Sequence, residues 1–349
     1  MRILLLGGNG FIGRFVANAL KQQGHVLALF HRGTTAVPAG VQEIRGNRNQ
    51  LSASAQELKR FAPDVVIDFV ISSGAQAEDL MKIFRGATQR VTMLSSIDVY
   101  RAVGITHGTE SGPLQEVPLT EESELRRSLH PYAPESMQLV RKIFSWVTDD
   151  YDKIPAERVV MTDPDLPGTV VRLPMVYGPG DPLHRFYPVV KRIADRRRHI
   201  IFPEPLAAWR SPRGYVENVA AALALIATDE RAARRIYNVC EEPSFSELEW
   251  ARKIAEEMRW DGDFLVLPIE RTPQHLLKPG NAAQQWTASS TRIREELGYE
   301  EPVAIEEAIR RTIRWERENP PGVESLAQFD YAAEDAAVAG QHRSVPSGT

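Results

Sequence analysis

Residues 3–13 read ILLLGGNGFIG, an apolar run followed at once by closely spaced glycines and then by a helical pattern. Four consecutive apolar residues suit a strand covered on both faces. Gly8, Gly10 and Gly13 fit G-x-G-x-x-G, and Gly7, Gly10 and Gly13 fit G-x-x-G-x-x-G. Either spacing lets the backbone turn sharply and approach a pyrophosphate. The helix that follows offers its N–H groups and the positive end of its dipole. Gly13 lets that helix pack close to the sheet, and Phe11 and Ile12 are grouped with the glycines as cofactor-contacting residues. A strand, this loop and a helix inside one βαβ unit form a strong dinucleotide-binding signal, where glycines alone would be weak.

The pattern repeats along the first half. HVLALF (25–30), VQEIRG (41–46), DVVIDFV (64–70) and RVTMLSS (90–96) alternate with helical stretches, and GTVVRLP (168–174) reads as a sixth strand. Continuous apolar runs alternating with helices predict an α/β fold, a doubly wound parallel sheet with helices on both faces. Residues 178–212 are rich in proline, and the segment around 213–240 reads as a return to the main sheet. The expected organisation is a dinucleotide-binding domain of residues 1–177 and about 213–240. A second, smaller lobe for substrate is discontinuous, formed by 178–212 and 241–330. The tail 331–349 is small and polar, without periodicity, and reads as disordered.

With 43% hydrophobic and 25% charged residues, the chain has the balance of a soluble globular protein. A net charge of −4 argues against nucleic acid and anionic membrane as partners. No stretch approaches the ~20 apolar residues of a membrane span. Cys240 is the only cysteine, so an internal disulfide and a cysteine-built zinc site are both excluded, and no other metal cluster stands out. The expected location is the cytoplasm.

GGNGFIG, SSIDVY (95–100), RLPMVYGPGD (172–181) and YVENVAAAL (215–223), taken in order, resemble the extended short-chain dehydrogenase/reductase superfamily in its NAD-dependent epimerase/dehydratase branch. The resemblance runs from residue 1 to about 320. It implies a Rossmann domain binding NAD or NADP, a small-molecule substrate held by the smaller lobe, and pairing of two copies through a four-helix interface. Many members act on nucleotide sugars; others reduce unrelated carbonyl compounds.

An acidic residue usually ends the second strand of such folds and binds the ribose hydroxyls of NAD. Here His31 and Arg32 stand there. The missing carboxylate removes a repulsion against a 2′-phosphate, and Arg32 could pair with that phosphate bidentately, so NADP is favoured over NAD. His31 could stack near the adenine. Asn47 takes the place where the family often carries an aspartate near the adenine. By resemblance, Pro174 to Val176 lie against the nicotinamide.

The resemblance also implies a catalytic serine or threonine, a tyrosine and a lysine. Counting back four from Tyr100 gives Ser96, with Ser95 as the neighbour facing the cofactor and Asp98 where dehydratases of the family carry an acid. The family's tyrosine precedes its lysine by four, one helical turn. Here Lys153 is preceded at that distance by Asp149, and Tyr151 is only two away. On one continuous helix Tyr151 and Lys153 would point about 160° apart. Pro155, tolerated only in a first turn, predicts a helix starting near Asp152, with Tyr151 outside it and able to swing into the site. Tyr132 is the other candidate. A lysine charge at 4 Å, worth about 4 kcal/mol at an effective dielectric of 20, could bring a phenol towards neutrality.

On the substrate side, Arg210 and Arg213 lie near where nucleotide-sugar enzymes bind a diphosphate. Two readings follow. One is an NAD(P)-dependent oxidoreductase of epimerase, dehydratase or reductase type. The alternative is an atypical member that binds NAD(P) without turnover. The N-terminal third also resembles the branch containing chloroplast stem-loop RNA-binding proteins, which lack the usual tyrosine–lysine pair.

Overall fold

A computed structural model describes residues 1–33, 36–132, 134–144, 146–322 and 329–342. The chain begins β1 (Arg2–Leu6), α1 (Phe11–Gln22), β2 (Val26–His31), β3 (Gln42–Arg45), α2 (Ala55–Arg60), β4 (Val65–Asp68), α3 (Gly74–Phe84) and β5 (Arg90–Ser96). It continues α4 (Arg101–His107), α5 (Pro134–Ile143), α6 (Lys153–Thr162), β6 (Gly168–Leu173), β7 (Met175–Tyr177), α7 (Tyr187–Ala194), β8 (His199–Pro203) and α8 (Glu204–Ala208). It closes with β9 (Arg213–Tyr215), α9 (Val216–Thr228), β10 (Ile236–Asn238), α10 (Glu247–Glu257), β11 (Asp263–Leu267), α11 (Thr291–Leu297), α12 (Ile305–Glu318) and α13 (Tyr331–His342).

The main sheet has seven strands in the order β10-β6-β5-β4-β1-β2-β3, every pair parallel. Its two faces explain the continuous apolar runs. In β1, Ile3 and Leu5 face one core with α1 and α9, while Leu4 and Leu6 face the other with α3 and α6. The strands expected at 25–30, 41–46, 64–70, 90–96 and 168–174 all form, and the 236–238 stretch joins the edge of the sheet beside β6. The strand order changes direction between β1 and β4, so the C-terminal ends of these strands open a crevice directly above the glycine loop.

Beside the main sheet, β8 pairs with β11, and α7, α8 and α10 share a small core around Ile193, Phe202 and Ala251, while α11 and α12 pack into the main core. The tail departs from expectation. Residues 331–342 form a helix, while 343–349 lie outside the described residues. Its alanines, read as merely small, are the strongest helix formers. Its Glu334 is buried in a bidentate pair with Arg192 of α7 (2.6 and 3.1 Å) and accepts from His275 Nε2 at 3.0 Å. A helix that would be marginal alone is thus held by tertiary contacts.

Candidate active site

The glycine loop has the geometry its spacing predicts. Gly7 has φ +78°, and a Cβ there would stand 2.6 Å from Val70. A Cβ on Gly13 would stand 2.5 Å from the Cα of Gly8, so only glycine lets α1 seat this close to the loop. Gly10 precedes the first turn of α1 and provides no side-chain cap, which leaves the helix N-terminus facing the crevice. Phe11 and Ile12 instead turn partly inward and pack against the core.

In front of this loop lies a cleft of 280 Å³ lined by Gly7, Gly10, His31, Arg32, Asn47 and Trp146 among others. His31 is buried. Its Nδ1 accepts from the Gly33 N–H (3.2 Å) and faces Asn9 Nδ2 (3.0 Å), so Nε2 carries the hydrogen; it lies 3.0 Å from Glu43 Oε1 but without hydrogen-bond geometry. Arg45 also pairs with Glu43 at 3.0 Å and, with His31, holds that carboxyl below its usual range. Asn47 accepts from the Asn49 N–H at 3.0 Å and so shapes the cleft wall. Behind it, the buried Arg48 pairs with Asp68 at 2.6 Å. The cleft, the exposed helix N-terminus and the absent glycine side chains suit a dinucleotide pyrophosphate and adenosine.

The catalytic candidates converge at the end of β5. α6 starts at Lys153, as Pro155 predicts, with the Asp152 carboxylate capping the Ile154 N–H at 2.8 Å. Tyr151 therefore lies outside the helix, and its hydroxyl donates to Asp98 Oδ2 at 2.8 Å. The Tyr132 hydroxyl donates to the same oxygen at 3.1 Å. The two rings are 6.1 Å apart, so both tyrosine candidates reach one carboxylate. Ser96, beside them, uses its oxygen to accept the Asp98 N–H at 3.2 Å. Lys153 donates to the carbonyls of Ile71 and, at 3.1 Å, Leu94. Its ammonium lies 5.1 Å from the Trp146 ring and 5.8 Å from the Tyr151 ring.

Electrostatics differ from the sequence expectation. Burial pulls Lys153 down to about 8, against the opposing pull of Asp98 and other carboxylates. Burial, followed by the negative charge of Asp98, pushes both tyrosines well above their ordinary value, so Lys153 does not bring Tyr151 towards neutrality here. Burial raises Asp98 as well, opposed by Arg126, the Tyr151 hydrogen bond and Lys153. The phenols are thus held protonated and the carboxyl is biased towards the acid.

Other expected residues sit elsewhere. Ser95 does not face the cofactor side: its buried hydroxyl donates to Glu157 Oε1 at 2.5 Å, within a pair between Glu157 and Arg172 (2.7 Å). Alternation along β5 sends Ser95 and Ser96 to opposite faces. Pro174 and Val176 are buried beside β9 and do not line the 280 Å³ cleft; Val176 packs into the main core. Arg210 is gripped by Glu249 at 2.7 and 3.0 Å, and Arg213 by Glu247 at 2.7 Å with its guanidinium over Trp250. Each is neutralised by α10 rather than offered to an anion. Sequence reasoning missed Trp146, which no periodicity marks, and it missed Asp98 as the shared acceptor of two tyrosines.

The model of the NAD-dependent epimerase/dehydratase family matches residues 3–240, and the chain belongs to that family. A curated relative, 2′-dehydrokanamycin reductase of Streptomyces kanamyceticus, is 29% identical over 123 residues, which span 35% of this chain and 32% of that protein. The fold is shared with dTDP-glucose 4,6-dehydratase from Bacillus anthracis, solved with NAD (TM-score 0.64, 15% identity, 93% of this chain and 99% of that one). It is shared equally with UDP-glucose 4-epimerase from Thermotoga maritima, solved with UDP-glucose (TM-score 0.63, 17% identity, 91% and 99%).

Proposed function

We propose that this member of the NAD-dependent epimerase/dehydratase family is an NAD(P)-dependent oxidoreductase acting on a small carbonyl or hydroxyl compound. The observation that carries the reading is the convergence of Tyr151, Tyr132 and Asp98 beside Ser96 and the buried Lys153, next to the glycine-loop cleft. The bound dinucleotide supplies or accepts the hydride. In the reducing direction, Ser96 donates to the substrate oxygen and polarises the carbonyl. Tyr151, its hydroxyl hydrogen turned from Asp98 to the substrate, gives its proton to that oxygen as negative charge develops there. Asp98, favoured as the acid by burial, passes its own proton to the phenol oxygen, so no tyrosinate persists beside a carboxylate. Solvent then reprotonates Asp98. Lys153 holds the ribose of the cofactor and keeps a positive charge beside the relay.

The reducing direction accords with the named activity of the Streptomyces relative. NADP(H) is the favoured form, because β2 ends at His31, Arg32 follows it, and the nearby Glu43 is answered by Arg45 as well as His31. No observation favours binding without turnover. The test is oxidation of NADPH, followed by its absorbance, against a panel of ketones, aldehydes and nucleotide sugars. Turnover that is lost in Ser96→Ala supports the reading. Tight NADPH binding with no turnover across the panel, and no stabilisation by any carbonyl compound, would overturn it.

A further inference from the structure

Beyond the catalytic cluster lies a larger cavity of 510 Å³, bounded by the end of α4, by α8 and by the loop 277–283. Trp209 and Trp286 meet edge to face in its wall, with ring centroids 4.9 Å apart. Their polar ends are already engaged. Trp209 Nε1 donates to the Gln284 carbonyl at 2.9 Å and Trp286 Nε1 to Thr106 Oγ1 at 2.8 Å. What they have left to offer is aromatic surface. Leu206 and Leu277 extend the apolar lining. Lys278 is the single charged residue in it, exposed and without an ion pair among the described residues.

The cavity is joined to the catalytic cluster by a run of rings. His107 lies 5.7 Å from Trp286 and 5.6 Å from Tyr132, and Tyr132 donates to Asp98. A pocket on the far side of Pro203 and Leu206 shares Lys278 with the cavity but offers a contrast, since its other cations, Arg185, Arg192, Arg213 and His275, are each paired with a carboxylate of this chain. Lys278 alone is available there, and a diphosphate that engaged the arginines would have to break ion pairs, among them the buried Arg192–Glu334 pair.

We infer that the 510 Å³ cavity receives the substrate's apolar ring system, with an acidic substituent at Lys278, and that a nucleotide diphosphate is not the substrate's handle. The inference deepens the oxidoreductase reading and relies on it for the identity of the occupant as substrate. Its test needs no turnover. The reporter is 8-anilinonaphthalene-1-sulfonate, which combines two aromatic systems with one anion, titrated into the full chain with and without NADPH.

The expected result is saturable binding at one site. It weakens by about tenfold or more in Trp286→Ala and in Ala283→Trp, and several-fold in Lys278→Ala, while Arg213→Ala leaves it unchanged. Ala283→Trp fills the cavity without deleting a core contact, so it stands in if Trp286→Ala fails to fold. UDP-glucose should neither displace the reporter nor raise the melting temperature. The inference is overturned if the cavity variants bind the reporter as wild type does. It is equally overturned if UDP-glucose displaces the reporter or stabilises the protein in a way that Arg213→Ala abolishes. NADPH titration of the same samples separates the two readings. Failure to bind NADPH sinks the oxidoreductase assignment, whereas normal NADPH binding with no cavity-dependent reporter binding sinks only this inference.

Discussion

The Tyr151 hydroxyl and the Asp98 carboxylate stand 2.8 Å apart although their residues are 53 positions apart in sequence. Because Asp98 sits two residues beyond Ser96, this one hydrogen bond ties the end of β5 to the start of α6. Removing the hydroxyl should therefore affect chemistry more than binding. Tyr151→Phe is expected to lower kcat by roughly 10²–10⁴, with NADPH affinity near wild type. Tyr132→Phe should cost less than about tenfold. Steady-state kinetics with parallel NADPH titrations check this, and the reverse order of effects would assign the proton to Tyr132.

Asp98 and Lys153 together set a pH profile. The reduction needs the acid form of Asp98, whose pKa burial raises, and the charged form of Lys153, whose pKa burial lowers to about 8. Reductive kcat should fall as pH rises through the Asp98 value and fall again near 8. In Asp98→Asn the lower inflection should vanish, leaving the one near 8. A wild-type profile flat from acid to alkaline pH would remove Asp98 from the relay.

Lys153 also makes stability depend on pH. Its folded pKa of about 8 lies below its ordinary 10.5, so the unfolded chain holds the extra proton between those values and the folded protein gains stability as pH rises through that window. The full penalty applies below about 8. Relative to Lys153→Met, the wild type should gain about 3 kcal/mol between pH 7 and pH 10.5. Denaturant unfolding of both proteins across that range measures it, and a constant difference would mean that Lys153 is not perturbed as its burial requires.

Arg32 lines the cleft that begins at Gly7, and the end of β2 carries no carboxylate. NADPH should bind more tightly than NADH, and Arg32→Ala should erase most of that preference by weakening NADPH alone. Fluorescence titration of both cofactors decides the matter, with equal affinities in wild type as the adverse result.

Glu334 closes the account of the C-terminal helix. Glu334→Ala would leave Arg192 buried without its partner and is expected to destabilise the protein by about 3–5 kcal/mol. Thermal unfolding reads this directly. A shift within experimental scatter would show that α13 contributes nothing to holding α7.

The frame of the site was legible because it rests on local signals. The Gly7–Gly13 spacing, the apolar strands and the effect of Pro155 on the start of α6 depend on residues close in sequence, and each is found in the fold. The rest depends on partners that no periodicity announces. The sequence points Ser95 at the cofactor because it neighbours Ser96, but Glu157, 62 residues away, takes its hydroxyl. Arg213 reads as an anion ligand from its neighbours in sequence, but Glu247 is held against it. The alanines of α13 read as disorder because the charge pairing that anchors Glu334 spans 142 residues.

Asp152 carries a consequence of its own. One carboxylate oxygen caps the Ile154 N–H and faces Arg126, the other accepts the His130 N–H, and the Asp152 N–H donates to the Ser72 carbonyl. Tyr151 is therefore positioned by a junction of three chain segments rather than by its angle on a helix. Adding or deleting one residue in a helix between two functional groups swings one of them by about 100° relative to the other. A hydroxyl moored at a junction escapes that rule, so a change in chain length between Tyr132 and Tyr151 need not rotate the Tyr151 hydroxyl away from Asp98.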